Sequence, residues 1–255
     1  MKKQENAILS AGDLTIGYGS RVVAEGITFS LRQGEILALL GPNGCGKSTL
    51  LSTLAGRIPA LSGDVTLEDD PVSTLSVKER ARRMALVTTK RDMKARLTVR
   101  EVVLLGRYPY MDGFLREREQ DTEACDKAME LVGIRELSGS FADCLSDGQL
   151  QRVMLARALC QDTPLILLDE PFSFLDLHFR IRLLEMLRKA AKEEGRGLVM
   201  ALHDLKEASL IADHLLCFTK EGVRLLHDPK KELKEELIRD MYDLPGSEYD
   251  LLWKS

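Results

Sequence analysis

Long apolar runs are missing from this sequence. The longest cover about five residues, as at Ile36–Leu40, against the roughly 20 that a membrane-crossing helix needs. No basic stretch followed by an apolar one opens the chain, so we expect it to stay in the compartment where it is made. Cysteines are few and scattered: Cys45, Cys125, Cys144, Cys160 and Cys217, of which even the nearest two, Cys144 and Cys160, are well separated. No CxxC pair suggests zinc or redox chemistry, and the odd count predicts reduced thiols in a cytosol. The four histidines (His178, His203, His214, His227) show no metal-site spacing. Neither sign of charge dominates: 36 Lys and Arg stand against 40 Asp and Glu, a net charge of −4, which provides no general field for nucleic acid. Internal repeats and low-complexity linkers are absent too.

What is present is a globular composition, 44% hydrophobic and 30% charged over 255 residues. It excludes a disordered chain, a collagen-like chain and a coiled-coil rod. The length suits one compact unit or two subdomains.

Residues of β character open the chain at Ile8–Ile16 and Arg21–Leu31, with Gly17-Tyr18-Gly19-Ser20 as the turn of an antiparallel hairpin. Glu35–Leu40 is nearly all apolar, as in a strand buried on both faces of a parallel sheet. A glycine-rich turn follows, then a helix from about Lys47. Residues 62–90 read as a strand near Asp64–Leu67, a helix near Lys78–Arg83 and a strand at Met84–Thr88. From about 90 to 161 the reading is helical: Thr98 and Glu101 form a capping box, and Ala124, Ala128 and Leu131 keep helical spacing up to Gly133. Strands return at Leu165–Leu168 and Leu198–Leu202. Between them Ile181, Leu184, Leu187 and Ala191 mark an amphipathic helix that stops at Gly195. The tail from about Pro229 reads as a charged helix and a short irregular end. The fold class is therefore α/β: residues 1–89 and 162–255 form the core, and 90–161 a helical insertion. In open α/β sheets the chemistry sits at the carboxyl ends of the strands.

Gly41-Pro42-Asn43-Gly44-Cys45-Gly46-Lys47-Ser48-Thr49 fits G-x-x-x-x-G-K-[ST] between a predicted strand and a predicted helix. Such glycines let backbone N–H groups turn inward around a phosphate, and the helix adds its positive end. Lys47 would reach the β- and γ-phosphates, and the Ser48 hydroxyl would ligate Mg²⁺. A thiol at Cys45, beside Lys47 and a helix N-terminus, is expected to have a depressed pKa and raised reactivity. The second strand of interest, Leu165–Leu168, runs into Asp169-Glu170-Pro171. Two carboxylates ending a buried strand need partners. Asp169 would hold Mg²⁺ through its hydration shell, and Glu170, pointing the other way, would polarise the attacking water. These two motifs alone define a P-loop NTPase.

Leu145-Ser-Asp-Gly-Gln-Leu-Gln-Arg152 narrows the reading. It precedes the helix that leads to Asp169, and it resembles the LSGGQ signature of ATP-binding-cassette (ABC) ATPases. Pro171-Phe-Ser-Phe-Leu-Asp176 resembles the family's D-loop. His203, in Ala-Leu-His-Asp-Leu after the next predicted strand, resembles its switch histidine, and Tyr18 stands where the family stacks an aromatic ring on adenine. Order and spacing match over roughly residues 7–245. The resemblance implies a P-loop core with a central, mostly parallel sheet, an N-terminal antiparallel β subdomain and a helical subdomain carrying the signature. It implies ATP and Mg²⁺ as cofactors and a head-to-tail homodimer. In that dimer Ser146, Gly148 and Gln149 would act on the other subunit's ATP, with Asp176 beside it. Ser146 and Gln149 also make an S-x-x-Q capping box, which would use the hydroxyl to start a helix.

Leu97–Tyr110, ending in Gly-Arg-Tyr-Pro-Tyr, is similar to ATPases of ferric-siderophore, haem and cobalamin importers. The similarity implies permease partners, a periplasmic or surface binding protein reached indirectly, no nucleic acid, and a place on the cytoplasmic face of the bacterial cell membrane. The aromatic residues and Arg107 suit an interface with the permease; alternatively, Gly106 and Pro109 end a helix and the tyrosines pack inward. Three positions depart from the family pattern. Thr89 stands where a loop glutamine is usual, and no glutamine occurs between Gln33 and Gln120. Asp147 replaces the first signature glycine, and Cys45 lies inside the phosphate loop. Two other readings stay open: an ABC-type ATPase without a permease, and a cassette that binds ATP and regulates without turnover.

Overall fold

The computed structural model describes residues 7–88, 96–111 and 116–244. In chain order its elements are β1 (Ala7–Tyr18), β2 (Arg21–Arg32), β3 (Ile36–Leu40), α1 (Lys47–Leu54), β4 (Ser62–Leu67), β5 (Asp70–Pro71), α2 (Val77–Arg83) and β6 (Met84–Val87). Next come α3 (Val99–Leu104), a 3₁₀ segment at Leu105–Tyr110, α4 (Glu119–Leu131), α5 (Asp147–Gln161) and β7 (Leu165–Asp169). The chain continues through α6 (Leu177–Lys192), β8 (Gly197–Ala201), α7 (Leu205–Ile211), β9 (His214–Thr219), β10 (Gly222–Leu226), α8 (Pro229–Glu232) and α9 (Glu235–Tyr242).

Two sheets organise these elements. One is antiparallel in the order β2-β1-β4-β5; the other runs β10-β9-β3-β8-β7-β6. In the second, β9, β3, β8, β7 and β6 pair parallel, and β10 turns back along β9. The apolar character of its strands follows from burial on both faces. Ile36, Ala38 and Leu40 of β3 pack with Val102, Val153 and Leu183 from the helices, whereas Leu37 and Leu39 face Leu14, Ile27 and Leu50. β7 and β8 alternate in the same way. Each such side chain contributes about 2 kcal/mol relative to exposure, so a polar replacement anywhere along these strands is costly.

Local signals act as expected at the helix starts. Thr98 caps α3 and Ser146 caps α5, each with the reciprocal bond from the residue three places on. Other expectations are corrected. β1 runs to Tyr18, which pairs with Arg21, so the turn is only Gly19-Ser20; Tyr18 ends a strand. The sequence carries no clear signal for the β9–β10 hairpin, because its apolar run is short and its parallel partner β3 is remote in sequence. From Pro229 to Tyr242 the single expected helix is two, α8 and α9, broken at Leu233-Lys234; the irregular end expected beyond residue 244 lies outside the described residues.

Candidate functional site

The strand order assembles the site. β3, β8 and β7 are neighbours, so the segments leaving their carboxyl ends converge: residues 41–49 after β3, Leu202-His203 after β8, and Asp169-Glu170 at the end of β7. Gly46 ends the loop with φ 120°, and a Cβ there would lie 2.6 Å from Val23; only glycine fits. No side chain caps α1, so the N–H groups of its first turn face outward with no helical acceptor. Lys47 is buried, and its ammonium donates to the carbonyls of Gly41 (2.7 Å) and Pro42 (3.0 Å). Burial pulls the Lys47 pKa down, while Cys45, Glu170 and Asp169 oppose the shift.

The Ser48 hydroxyl donates to Asp169 Oδ1 at 3.0 Å. Asp169 is 4% exposed, and burial pushes its carboxyl up; the Ser48 bond works the other way. Two hard oxygen donors at one point, one a carboxylate strained by desolvation, fit a small divalent cation. Glu170 adopts φ 50°, which breaks strand alternation and turns its carboxylate to a different neighbour. His203 Nε2 lies 2.5 Å from Glu170 Oε1, and Ser173 Oγ donates to Oε2 at 3.1 Å.

No sequence motif singles out Ser173. Its signal is local: it sits three residues after Glu170 in a turn closed by Ser173 N–H to the Glu170 carbonyl. Tyr18 is 56% exposed, and its hydroxyl lies 3.4 Å from Thr49 Oγ1, above the first turn of α1. Pro42, Asn43 and Gly44 are exposed on the loop.

A protein-family model described as "ABC transporter" matches residues 24–173. The chain belongs to that family. It is 40% identical over 238 residues to the ferric enterobactin transport ATP-binding protein FepC of Escherichia coli, covering 93% of this chain and 88% of FepC. It is 39% identical over 215 residues to the iron(3+)-hydroxamate import ATP-binding protein FhuC of Bacillus subtilis, covering 84% of this chain and 80% of FhuC. Among solved structures it superposes on a chain of an inward-facing metal-chelate type ABC transporter. That match has a TM-score of 0.81 and 28% identity, with 94% and 90% of the two chains covered. As an ABC ATPase the protein binds ATP and hydrolyses it.

The cassette's signature is tied to the loop that follows its acidic strand. Ser146 accepts from Gln149 N–H, and Ser146 N–H donates to Gln149 Oε1. A Cβ at Gly148 would lie 2.7 Å from the Phe174 carbonyl oxygen. Gln151, 1% exposed, donates to the Pro171 carbonyl at 3.3 Å, and Arg152 pairs with Asp176 at 3.0 Å. Asp176 also caps α6 by accepting from Phe179 N–H, and this bond, with Arg152, holds its pKa low.

Two expectations fail here. Burial raises the Cys45 pKa, and the nearby Lys47 charge, 4.0 Å from the sulfur, only offsets part of it. Arg107 is not offered to a partner: it is 9% exposed, pairs with Asp121 at 2.9 Å, donates to the Cys160 carbonyl and lies 4.3 Å over the Tyr110 ring. Of that segment Tyr108 is exposed. Thr89 lies outside the described residues.

Proposed function

We propose that this cassette is the ATP-hydrolysing subunit of a bacterial importer for a ferric siderophore, haem or cobalamin. It works as a head-to-tail homodimer on the cytoplasmic side of a permease that a binding protein supplies. The observation that carries the reading is the convergence of Lys47, Ser48, Asp169, Glu170 and His203 at three adjacent strand ends. The cargo class is supported by the relatives, of which FepC is named for ferric enterobactin and FhuC for iron(3+)-hydroxamate.

Lys47 and the free N–H groups of α1 bind the β- and γ-phosphates. Ser48 and Asp169 would hold Mg²⁺, which when bound neutralises charge on the phosphate oxygens. Glu170, fixed by His203 and Ser173, accepts the proton of the attacking water, and His203 contacts the γ-phosphate side. Tyr18 offers its exposed ring to adenine. Ser146, Gly148 and Gln149 of the second copy complete the site. A capped helix start remains an anion site, so the Ser146–Gln149 box is compatible with that role. Apolar Phe174 and Leu177 lie exposed beside the signature, as a dimer face requires.

The test is ATP-driven uptake of a labelled ferric siderophore by proteoliposomes containing the cassette and its permease. Uptake with wild type and none with Glu170→Gln is expected. ATPase activity in a cassette that associates with no permease would overturn the importer reading.

A further inference from the structure

Two short loops hold Glu170, and each runs into a helix: Ser173 precedes α6, and His203 precedes α7. Asp176 caps α6 by accepting from Phe179 N–H at 2.8 Å. Asp204 caps α7 by accepting from Lys206 N–H (2.7 Å) and Glu207 N–H (3.0 Å). On the other side of His203, Leu202 N–H donates to the Leu39 carbonyl at 3.0 Å. His203 is thus strung between the sheet and a helix start, and its direction follows that of the first turn of α7. That helix has only seven residues, too few to stand without tertiary contacts. Its buried side chains, Ala208 and Ile211, come after Glu207. The first turn itself is held by partly buried Leu205 and by an ion pair across to α6, in which Arg180 Nη2 lies 2.8 Å from Glu207 Oε1.

Stability alone does not explain this pair. Glu207 is half-buried, and burial pushes its carboxyl up while Arg180 works the other way. Arg180 Nε is buried with no hydrogen-bond partner among the described residues. A desolvated pair with an orphaned donor gains little over apolar side chains in the same space. What the pair supplies is direction. Arg180 N–H donates to the Asp176 carbonyl at 3.0 Å, and the Asp176 carboxylate pairs with Arg152 of α5. The contacts therefore run from α5 through the start of α6 to the start of α7, and from His203 back to Glu170. Lys47, Ser48 and Tyr18 stand on other elements, α1 and β1. We propose that Arg180 is a positioning residue: it holds Glu207, fixes the first turn of α7 and so keeps His203 against Glu170 during hydrolysis. This rests on the reading of Glu170 as the base. A guanidinium suits the task because its planar fork is pre-organised for a carboxylate.

The experiment measures steady-state ATPase activity of the cassette–permease complex against ATP concentration. Arg180→Met and Glu207→Gln should each lower kcat about 10-fold or more, as expected when a reacting group is misplaced from a distance. KM for ATP should stay within about twofold of wild type, because the nucleotide contacts are untouched. Arg180→Lys should keep most of the activity. The double variant should be no slower than either single one, because both remove the same contact. In single-turnover measurements on a His203→Ala background, Arg180→Met should have no further effect, since its action passes through His203. A further loss there as large as in wild type overturns the proposal. So does an unchanged kcat in Arg180→Met and Glu207→Gln, or a loss confined to KM. If Arg180→Met does not fold, Glu207→Gln, which keeps the shape of the side chain, decides on the same readouts. Glu170→Gln separates the two readings. Full turnover in that variant removes the base, and this proposal with it. Turnover lost in Glu170→Gln but normal in Arg180→Met and Glu207→Gln removes this proposal alone.

Discussion

Glu170 is gripped from both sides, by His203 and by Ser173, and its left-handed backbone aims it away from Asp169. Glu170→Gln should keep that grip and lose the base. ATP affinity, read by fluorescent-nucleotide titration, should be retained, while phosphate release slows 100-fold or more. Cys45 carries a second prediction at this scale. Its folded pKa lies above that of an ordinary thiol, so at neutral pH the thiolate fraction is smaller than in the unfolded chain. Alkylation of native Cys45, followed by mass spectrometry, should be slower than in denatured protein. Its rate should keep climbing with pH beyond the point where a free thiol levels off. The sequence misleads here because a lysine two residues away is visible in it and burial is not.

At the scale of elements, the sequence is most legible where the signal is local. The apolar runs of β3 and β7, the capping boxes of α3 and α5, and the phosphate loop between strand and helix are all written in consecutive residues. Arg107 shows the opposite case. Its direction depends on Asp121, which comes from α4, and on a 3₁₀ turn through Pro109 that swings the side chain inward. No spacing rule reports that. The pair is 10% and 1% exposed at the side chains, so removing one member strands the other. Arg107→Ala should cost about 3–5 kcal/mol in denaturant unfolding. Arg107→Met with Asp121→Leu should recover much of that loss. An interface role for Arg107 predicts instead near-normal stability with weaker permease binding.

For the whole molecule, one chain carries one phosphate loop and one signature, and Gly148, Gln151 and Arg152 lock the signature to the loop that follows Glu170. On the proposed head-to-tail arrangement, a signature that moves with the loop after Glu170 would complete the site of another copy. Glu170→Gln with saturating ATP and Mg²⁺ should therefore elute as a dimer in size-exclusion chromatography, and Glu170→Gln combined with Gly148→Val as a monomer. The valine has no room: the Phe174 carbonyl already occupies the space of a Cβ.

The strand that delivers the phosphate loop has both of its neighbours late in the chain. β3 spans residues 36–40, yet it pairs with β8 at 197–201 and β9 at 214–219. On a ribosome the loop emerges early and waits, its strand unpartnered on either side, until synthesis has passed Ala201 and gone on to Thr219. Such long-range pairing is slow to form and exposes apolar strand edges meanwhile. A nascent chain halted at residue 190 should accordingly bind no ATP and recruit chaperones. Nucleotide would then become available to the protein only once Thr219 has been made, as a check on the finished sheet.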